Sequence, residues 1–218
     1  AAGGVVGAGG SGGAPATTGC NWVQGADNTW TMNPDPADKM VLFDGKDLSQ
    51  WHRLNQPNTP AQWKVLPDGS MEVVPQPTPT NIQSNATFDD ACLHVEYKTP
   101  TFASNAGVQQ QGNSGIYLKS AYEMQVLDTS KLGPLIDGCG AVYKVAPPLV
   151  VACLQYGEWN TYEIEFKGSV WDNGSPAKKT QNASFVRVAL NKKLVQQNVT
   201  LNPAAGFTEA GIPDVAGP

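Results

Sequence analysis

The sequence predicts an all-β fold, a two-sheet antiparallel sandwich of the jelly-roll type, and three observations carry that expectation. From residue 40 onward, short segments alternate apolar and polar residues with a period of two. Gly, Pro, Asn and Asp separate them as turn formers. No stretch keeps the 3.6-residue period of an amphipathic helix. At least nine short strands of this kind imply two packed sheets, one of them curved around a concave face. The strand number and the long polar loops set the pattern apart from an immunoglobulin-like sandwich.

Residues 1–19 are nearly all Gly, Ala, Ser, Thr and Pro, a composition that cannot bury a core and reads as a flexible Gly-rich tail. Residues 1–38 are therefore expected to be tether and lead-in, and residues 39–218 the sandwich domain. Strands are expected at 40–43, 63–66 and 70–74, the last two joined by the turn Pro67-Asp68-Gly69. Residues 92–98 place Leu93, Val95 and Tyr97 on one face and His94, Glu96 and Lys98 on the other. Segments 113–119 and 122–128 follow as a pair, and 140–144 comes next. Residues 161–167 set Tyr162, Ile164 and Phe166 against Glu163, Glu165 and Lys167. Residues 185–190 carry Val186, Val188 and Leu190 on one face, and 193–199 closes the series. Such alternation belongs to antiparallel strands buried on one side.

With 218 residues, 40% of them hydrophobic, the chain can bury a sizeable core in one β-rich domain. A net charge of −5 argues against nucleic acid as a partner. No apolar run approaches the roughly 18 residues that span a bilayer. The Gly-rich start, without an initiator Met, suits a secreted protein or one of the bacterial periplasm or cell surface, including a lipoprotein tether. Cys20, Cys92, Cys139 and Cys153 lack the CxxC spacing of a zinc site, so two disulfides are expected. The favoured pairing is Cys139 with Cys153, clipping the loop between them, and Cys20 with Cys92, pinning the tail to the domain. Four buried thiols are the competing reading. Sequons begin at Asn85, Asn173, Asn182 and Asn198, and Pro176 weakens the second. Neither a phosphate cradle nor a nucleophile elbow is present.

The run Tyr122-Glu123-Met124-Gln125-Val126-Leu127-Asp128 concentrates the chemistry. Strand alternation puts Glu123 and Gln125 on one side, and a bulge between Gln125 and Asp128 would bring Asp128 onto the same surface. A turn at Ser120-Ala121 would set Lys119 beside Glu123, where a cation holds the carboxylate ionised. The plain alternative is the wet face of a half-buried sheet.

The order of motifs resembles the 3-keto-disaccharide hydrolase family, formerly the domain of unknown function 1080. Leu42-Phe43-Asp44-Gly45-Lys46-Asp47-Leu48 precedes Trp51, Trp63 and Asp68-Gly69. Then come Asn113-Ser114-Gly115-Ile116, the Tyr122 run, Gly140-Ala141-Val142-Tyr143 and Gly157-Glu158-Trp159-Asn160. The resemblance covers about residues 40–200. It implies a concanavalin-like sandwich, exported by bacteria, that acts on carbohydrate. In some members it cleaves glycosides whose C3 hydroxyl is oxidised to a ketone, by base-assisted elimination followed by hydration. On that basis Glu123 is the expected acid or base, Gln125 orients the sugar, Lys119 or Asn113 steadies the oxyanion and Tyr143 donates to a sugar hydroxyl. Asp128 completes the site, binds a divalent cation or simply forms a turn. No cofactor is expected otherwise. The resemblance also implies a final strand beyond Gly217-Pro218 bearing a Gln-Asp-His-Gly type segment, whose histidine neither His52 nor His94 matches. A sheet edge open to strand addition by a second copy is the corresponding expectation.

Two other functions compete. The spacing of Glu123, Gln125 and Asp128 imitates the Glu-x-Asp-x-x-Glu strand motif of family 16 retaining glycoside hydrolases, which need two carboxyls about 5 to 5.5 Å apart. A non-catalytic carbohydrate-binding or adhesive module needs only a polar groove and an aromatic platform. Trp51, Trp63, Trp159 and Trp171 are candidates for that platform, with Trp63 and Trp159 expected in the core.

Overall fold

The computed structural model describes residues 20–33, 39–74 and 80–202. In chain order the strands are β1 (Trp22–Gln24), β2 (Trp30–Met32), β3 (Trp51–Arg53), β4 (Gln56–Pro60), β5 (Lys64–Val65), β6 (Met71–Glu72) and β7 (Ile82–Ser84). They continue as β8 (Ala91–Lys98), β9 (Ser114–Leu118), β10 (Tyr122–Val126), β11 (Trp159–Lys167), β12 (Val170–Trp171), β13 (Lys179–Gln181), β14 (Ser184–Leu190) and β15 (Lys193–Thr200). All pairings are antiparallel. Four long strands form one sheet in the order β15-β14-β11-β8, and β4-β3-β7 form a second. Two-stranded ribbons β1-β2, β5-β6, β9-β10 and β12-β13 make up the rest.

The alternating residues supply the core. Leu93 and Tyr97 of β8, with Tyr162, Ile164 and Phe166 of β11, turn inward against Tyr122, Met124 and Val126 of β10. The Phe166 ring lies 6.2 Å from Tyr122 and 5.4 Å from Phe185, so the β9-β10 ribbon faces the four-stranded sheet across one aromatic layer. Each such side chain, fully buried, contributes roughly 1.5–3 kcal/mol.

β14 departs from strict alternation. Arg187 pairs with Glu165 but Phe185 pairs with Phe166, leaving Val186 as the extra residue of a bulge. Phe185, Val188 and Leu190 are fully buried, while Val186 lies outside the core that it was expected to join. A second shift, in β15, puts both Val195 and Gln196 inside. Of the shorter expected strands, 140–144 contributes an isolated bridge, Met124 to Val142, and 40–43 forms no strand although Leu42 and Phe43 are buried.

Part of the expected lead-in is folded. Cys20 is disulfide-bonded to Cys92, and the β1-β2 hairpin docks on the polar face of the four-stranded sheet. There Trp22 Nε1 donates to Glu165 Oε2 at 2.7 Å, and the Arg187 guanidinium lies 4.4 Å from the Trp30 ring and 5.4 Å from the Trp22 ring. Such contacts combine hydrogen bonding with cation–π attraction. The tail proper, residues 1–19, and residues 203–218 lie outside the described residues.

The expected Cys139–Cys153 bridge is not formed: both are free, buried thiols. Burial, and then the neighbouring Cys153, push the Cys139 thiol far above its ordinary value. Tyr97 Oη lies 3.7 Å from Cys139 Sγ. Trp159, expected in the core, is 40% exposed under the Lys98 ammonium, because its position alternates onto the outer face of β11. Trp63 is half-buried and donates from Nε1 to Thr80 O.

Candidate active site

Glu123 and Gln125 share one face of β10, as alternation requires, and that face turns away from the aromatic core. The register runs unbroken from Tyr122 opposite Leu118 to Val126 opposite Ser114. No bulge therefore carries Asp128 round to join them. The strand has ended, and Asp128 Oδ1 accepts from the Ser130 amide and hydroxyl, at 3.1 and 2.6 Å, while Oδ2 accepts from the Tyr156 amide at 2.8 Å. Both oxygens organise loops.

The turn between β9 and β10 also differs from the expected one. Lys119 and Ser120 both take left-handed φ, +52° and +54°, and the loop comprises Lys119, Ser120 and Ala121. Tyr117, not Lys119, then stands opposite Glu123. Lys119 Nζ forms an ion pair with Asp89 Oδ1 at 2.8 Å. Asn113, on the exposed lead into β9, donates from Nδ2 to Gln109 Oε1 at 3.3 Å.

Gly115 decides how Glu123 lies. It is the cross-strand partner of Gln125, and a Cβ built on it would overlap Glu123 Oε1 and stand 2.7 Å from Glu123 Cγ and Cδ. The carboxylate chain thus lies diagonally over the bare backbone of β9, in space that only glycine leaves open. A lone glycine inside a strand pattern signals such an approach.

The other edge of β10 is closed by the segment 137–147. Gln125 N donates to Ala141 O at 3.0 Å and Tyr143 N to Glu123 O at 3.0 Å. Gln109 Nε2 and Gln125 Nε2 both donate to Asp137 O, at 3.0 and 3.2 Å. From β15, Gln196 Nε2 reaches Gly140 O, Pro147 O and Ala146 O at 2.9, 3.1 and 3.3 Å. Beneath, the Tyr162 hydroxyl donates to Gln125 O at 2.7 Å, and burial raises that phenol well above its usual pKa, so it stays a donor. Gln109 and Gln196 carry much of this assembly and were not singled out in the sequence, where a glutamine in a loop or edge strand reads as surface.

Glu123 faces no open hollow among the described residues. Glu123 is 7% exposed and borders a cavity of about 10 Å³ with Tyr143, Val142, Val145, Leu201 and Asn202. That volume admits about one water. Gln125 is 1% exposed, and its Oε1 is buried with no hydrogen-bond partner among the described residues. No group of three or more His, Cys, Asp or Glu side chains converges as metal ligands among those residues. Nor is any helix among them long and apolar enough to cross a membrane.

Residues 38–214 match the model of the 3-keto-alpha-glucoside-1,2-lyase-like domain. A crystal structure from Parabacteroides distasonis ATCC 8503, described provisionally as a glycosyl hydrolase, is 33% identical. The match covers 81% of this chain and 70% of that one, with a TM-score of 0.65. A second structure from the same organism, with the same provisional description, is 18% identical over 72% of this chain and 70% of that one, with a TM-score of 0.48. No curated protein matches the chain.

Proposed function

This chain belongs to the family of 3-keto-alpha-glucoside-1,2-lyase-like domains, and from that premise we propose an exported enzyme that cleaves glycosides carrying a ketone at C3. The observation that carries the reading is the Glu123 carboxyl folded over bare Gly115 and sharing a cavity with Tyr143. A C3 ketone acidifies the proton on C2. Glu123 removes that proton, the C–H electron pair forms a C1–C2 double bond, and the C1–oxygen bond breaks, the departing alcohol taking up a proton. Water then adds across the double bond, giving a hydroxyl at C1 and a hydrogen at C2. Charge gathers on the ketone oxygen during the first step, so a donor there is needed. Tyr143 takes that role in this reading, because it lines the same cavity as the Glu123 carboxyl. Gln125, with its buried carbonyl oxygen unengaged, orients the sugar. A pyranose does not fit a 10 Å³ void, so entry requires Tyr143 and the rim at Leu201 and Asn202 to move aside.

The test is turnover of 3-keto-trehalose in deuterated water. The wild type is expected to release 3-keto-glucose with deuterium at C2, and Glu123→Gln to lose about 10²- to 10⁴-fold in rate. Release without deuterium at C2 points to direct displacement of the family 16 kind and overturns the elimination. A module that binds carbohydrate without turning it over is the alternative, and full binding with no product in either protein would establish it.

A further inference from the structure

We infer a second, neutral-saccharide binding site in the open hollow of about 440 Å³ bordered by β3 and β4. It shares no lining residue with the Glu123 cavity, so it stands apart from the proposed reaction. Its volume falls in the range of small-molecule sites, roughly 300–1,000 Å³.

The lining chemistry selects the ligand. Trp51, Pro57 and Pro60 offer apolar faces, Ser49, Asn58 and Asn85 offer hydroxyl and amides, and no charged side chain among the described residues lines the hollow. Apolar faces beside amides match the C–H faces and hydroxyls of an uncharged sugar. An anionic ligand would find no cation to pair with. A peptide strand is also disfavoured: β4 is the edge of its sheet, and Pro57 and Pro60 remove two backbone donors from its five residues.

The walls are held in place before any ligand arrives. Trp51 Nε1 donates to Leu42 O at 2.7 Å, which fixes the indole plane. Asn85 Nδ2 donates to Ser49 O at 2.8 Å, and its Oδ1 lies 2.8 Å from His52 Nδ1. The exposed Asn58 amide makes no side-chain hydrogen bond among the described residues and is available to a ligand. Preorganisation of this kind lowers the cost of binding.

The experiment is an ¹⁵N chemical-shift titration of the whole chain with trehalose, methyl α-glucoside and glucuronate. Trehalose and methyl α-glucoside should give saturable shifts at the Trp51 indole N–H and at the Asn58 and Asn85 side-chain amides, with glucuronate weaker. Asn58→Ala, on an exposed strand, should weaken binding about 5- to 10-fold, the loss of one or two hydrogen bonds. Trp51→Phe, which keeps a ring in place, should weaken it further. Glu123→Gln should bind here as the wild type does, and Asn58→Ala should leave turnover of 3-keto-trehalose unchanged. Absence of saturable shifts at these groups, or equal binding of glucuronate, overturns the site while leaving the proposed reaction intact. Loss of turnover in all proteins with these shifts retained overturns the reaction and upholds the site.

Discussion

The β1-β2 hairpin and the segment 137–147 are both laid onto the sandwich from outside its long strands, and they are fastened by different chemistry. The hairpin is held by the Cys20–Cys92 bond, an indole hydrogen bond to Glu165 and the Arg187 guanidinium against two indole rings. Segment 137–147 is held by hydrogen bonds, with side-chain amides of Gln109, Gln125 and Gln196 gripping four of its backbone carbonyls. The covalent clasp shares no residue with the lining of the Glu123 cavity. The hydrogen-bonded one borders the cavity of Glu123, where the proposed reaction would admit a sugar. On that proposal, permanence lies away from the chemistry and reversibility beside it. The hairpin also precedes the family match, which begins at residue 38.

Substitutions can break or sharpen this contrast. The largest effect is expected from Cys20→Ser, which opens a closure of 72 residues and should cost roughly 4 kcal/mol on the loop-entropy model, read by denaturant unfolding. Turnover per folded molecule should be unchanged; a fall in kcat would erase the division between clasp and site. Gly115→Ala tests the other region. The added methyl displaces the Glu123 carboxyl, so turnover should fall about 100-fold, the cost of an ångström-scale misplacement, alongside roughly 1–3 kcal/mol of overpacking. Retained activity would remove Glu123 from the chemistry.

Gln196→Leu leaves the Gly140, Ala146 and Pro147 carbonyls without their amide and should cost about 1–3 kcal/mol, with turnover falling as the wall loosens. A loss of stability with turnover intact would make the segment a passive cover. The smallest effect belongs to His94, on the outer face of the sheet. Its hydrogen bond to Glu163, at 2.8 Å, and the nearby Glu96 raise its pKa above the ordinary value. The charged form is favoured by folding, so its stabilisation is fully present below about pH 6.5 and is lost as pH rises through the raised folded value. Solvent screening keeps the contribution within a fraction of a kcal/mol. His94→Gln should flatten that limb of the stability–pH curve and leave turnover alone.

What could be read from sequence follows from which forces act locally. β8 and β11 were legible because Leu93, Val95 and Tyr97, and Tyr162, Ile164 and Phe166, repeat with the period of the pleat. β14 was legible as a strand and Val188 and Leu190 as inward, but Phe185 was not, because the bulge at Val186 moves it to the buried side and a bulge leaves no mark in an alternating pattern. Lys119 was placed beside Glu123 on the premise of a two-residue turn; the turn has three residues, and Tyr117 stands opposite Glu123. The hairpin escaped notice because a Gly-rich tail precedes it, although Trp22 and Trp30, eight residues apart, were the available sign. At the site, Glu123, Gln125 and Tyr143 came from the motif, but the need for Gly115 arises across strands and becomes visible only once the two are paired.

The amide of Gln196 carries two protons and is offered three carbonyl oxygens. The surplus acceptor means that the bonding can be redistributed without abandoning a buried donor. Should Pro147 withdraw, Gly140 and Ala146 still satisfy both N–H groups. A latch with a spare catch can give by a small step at low cost, and the wall beside Glu123 is built on one.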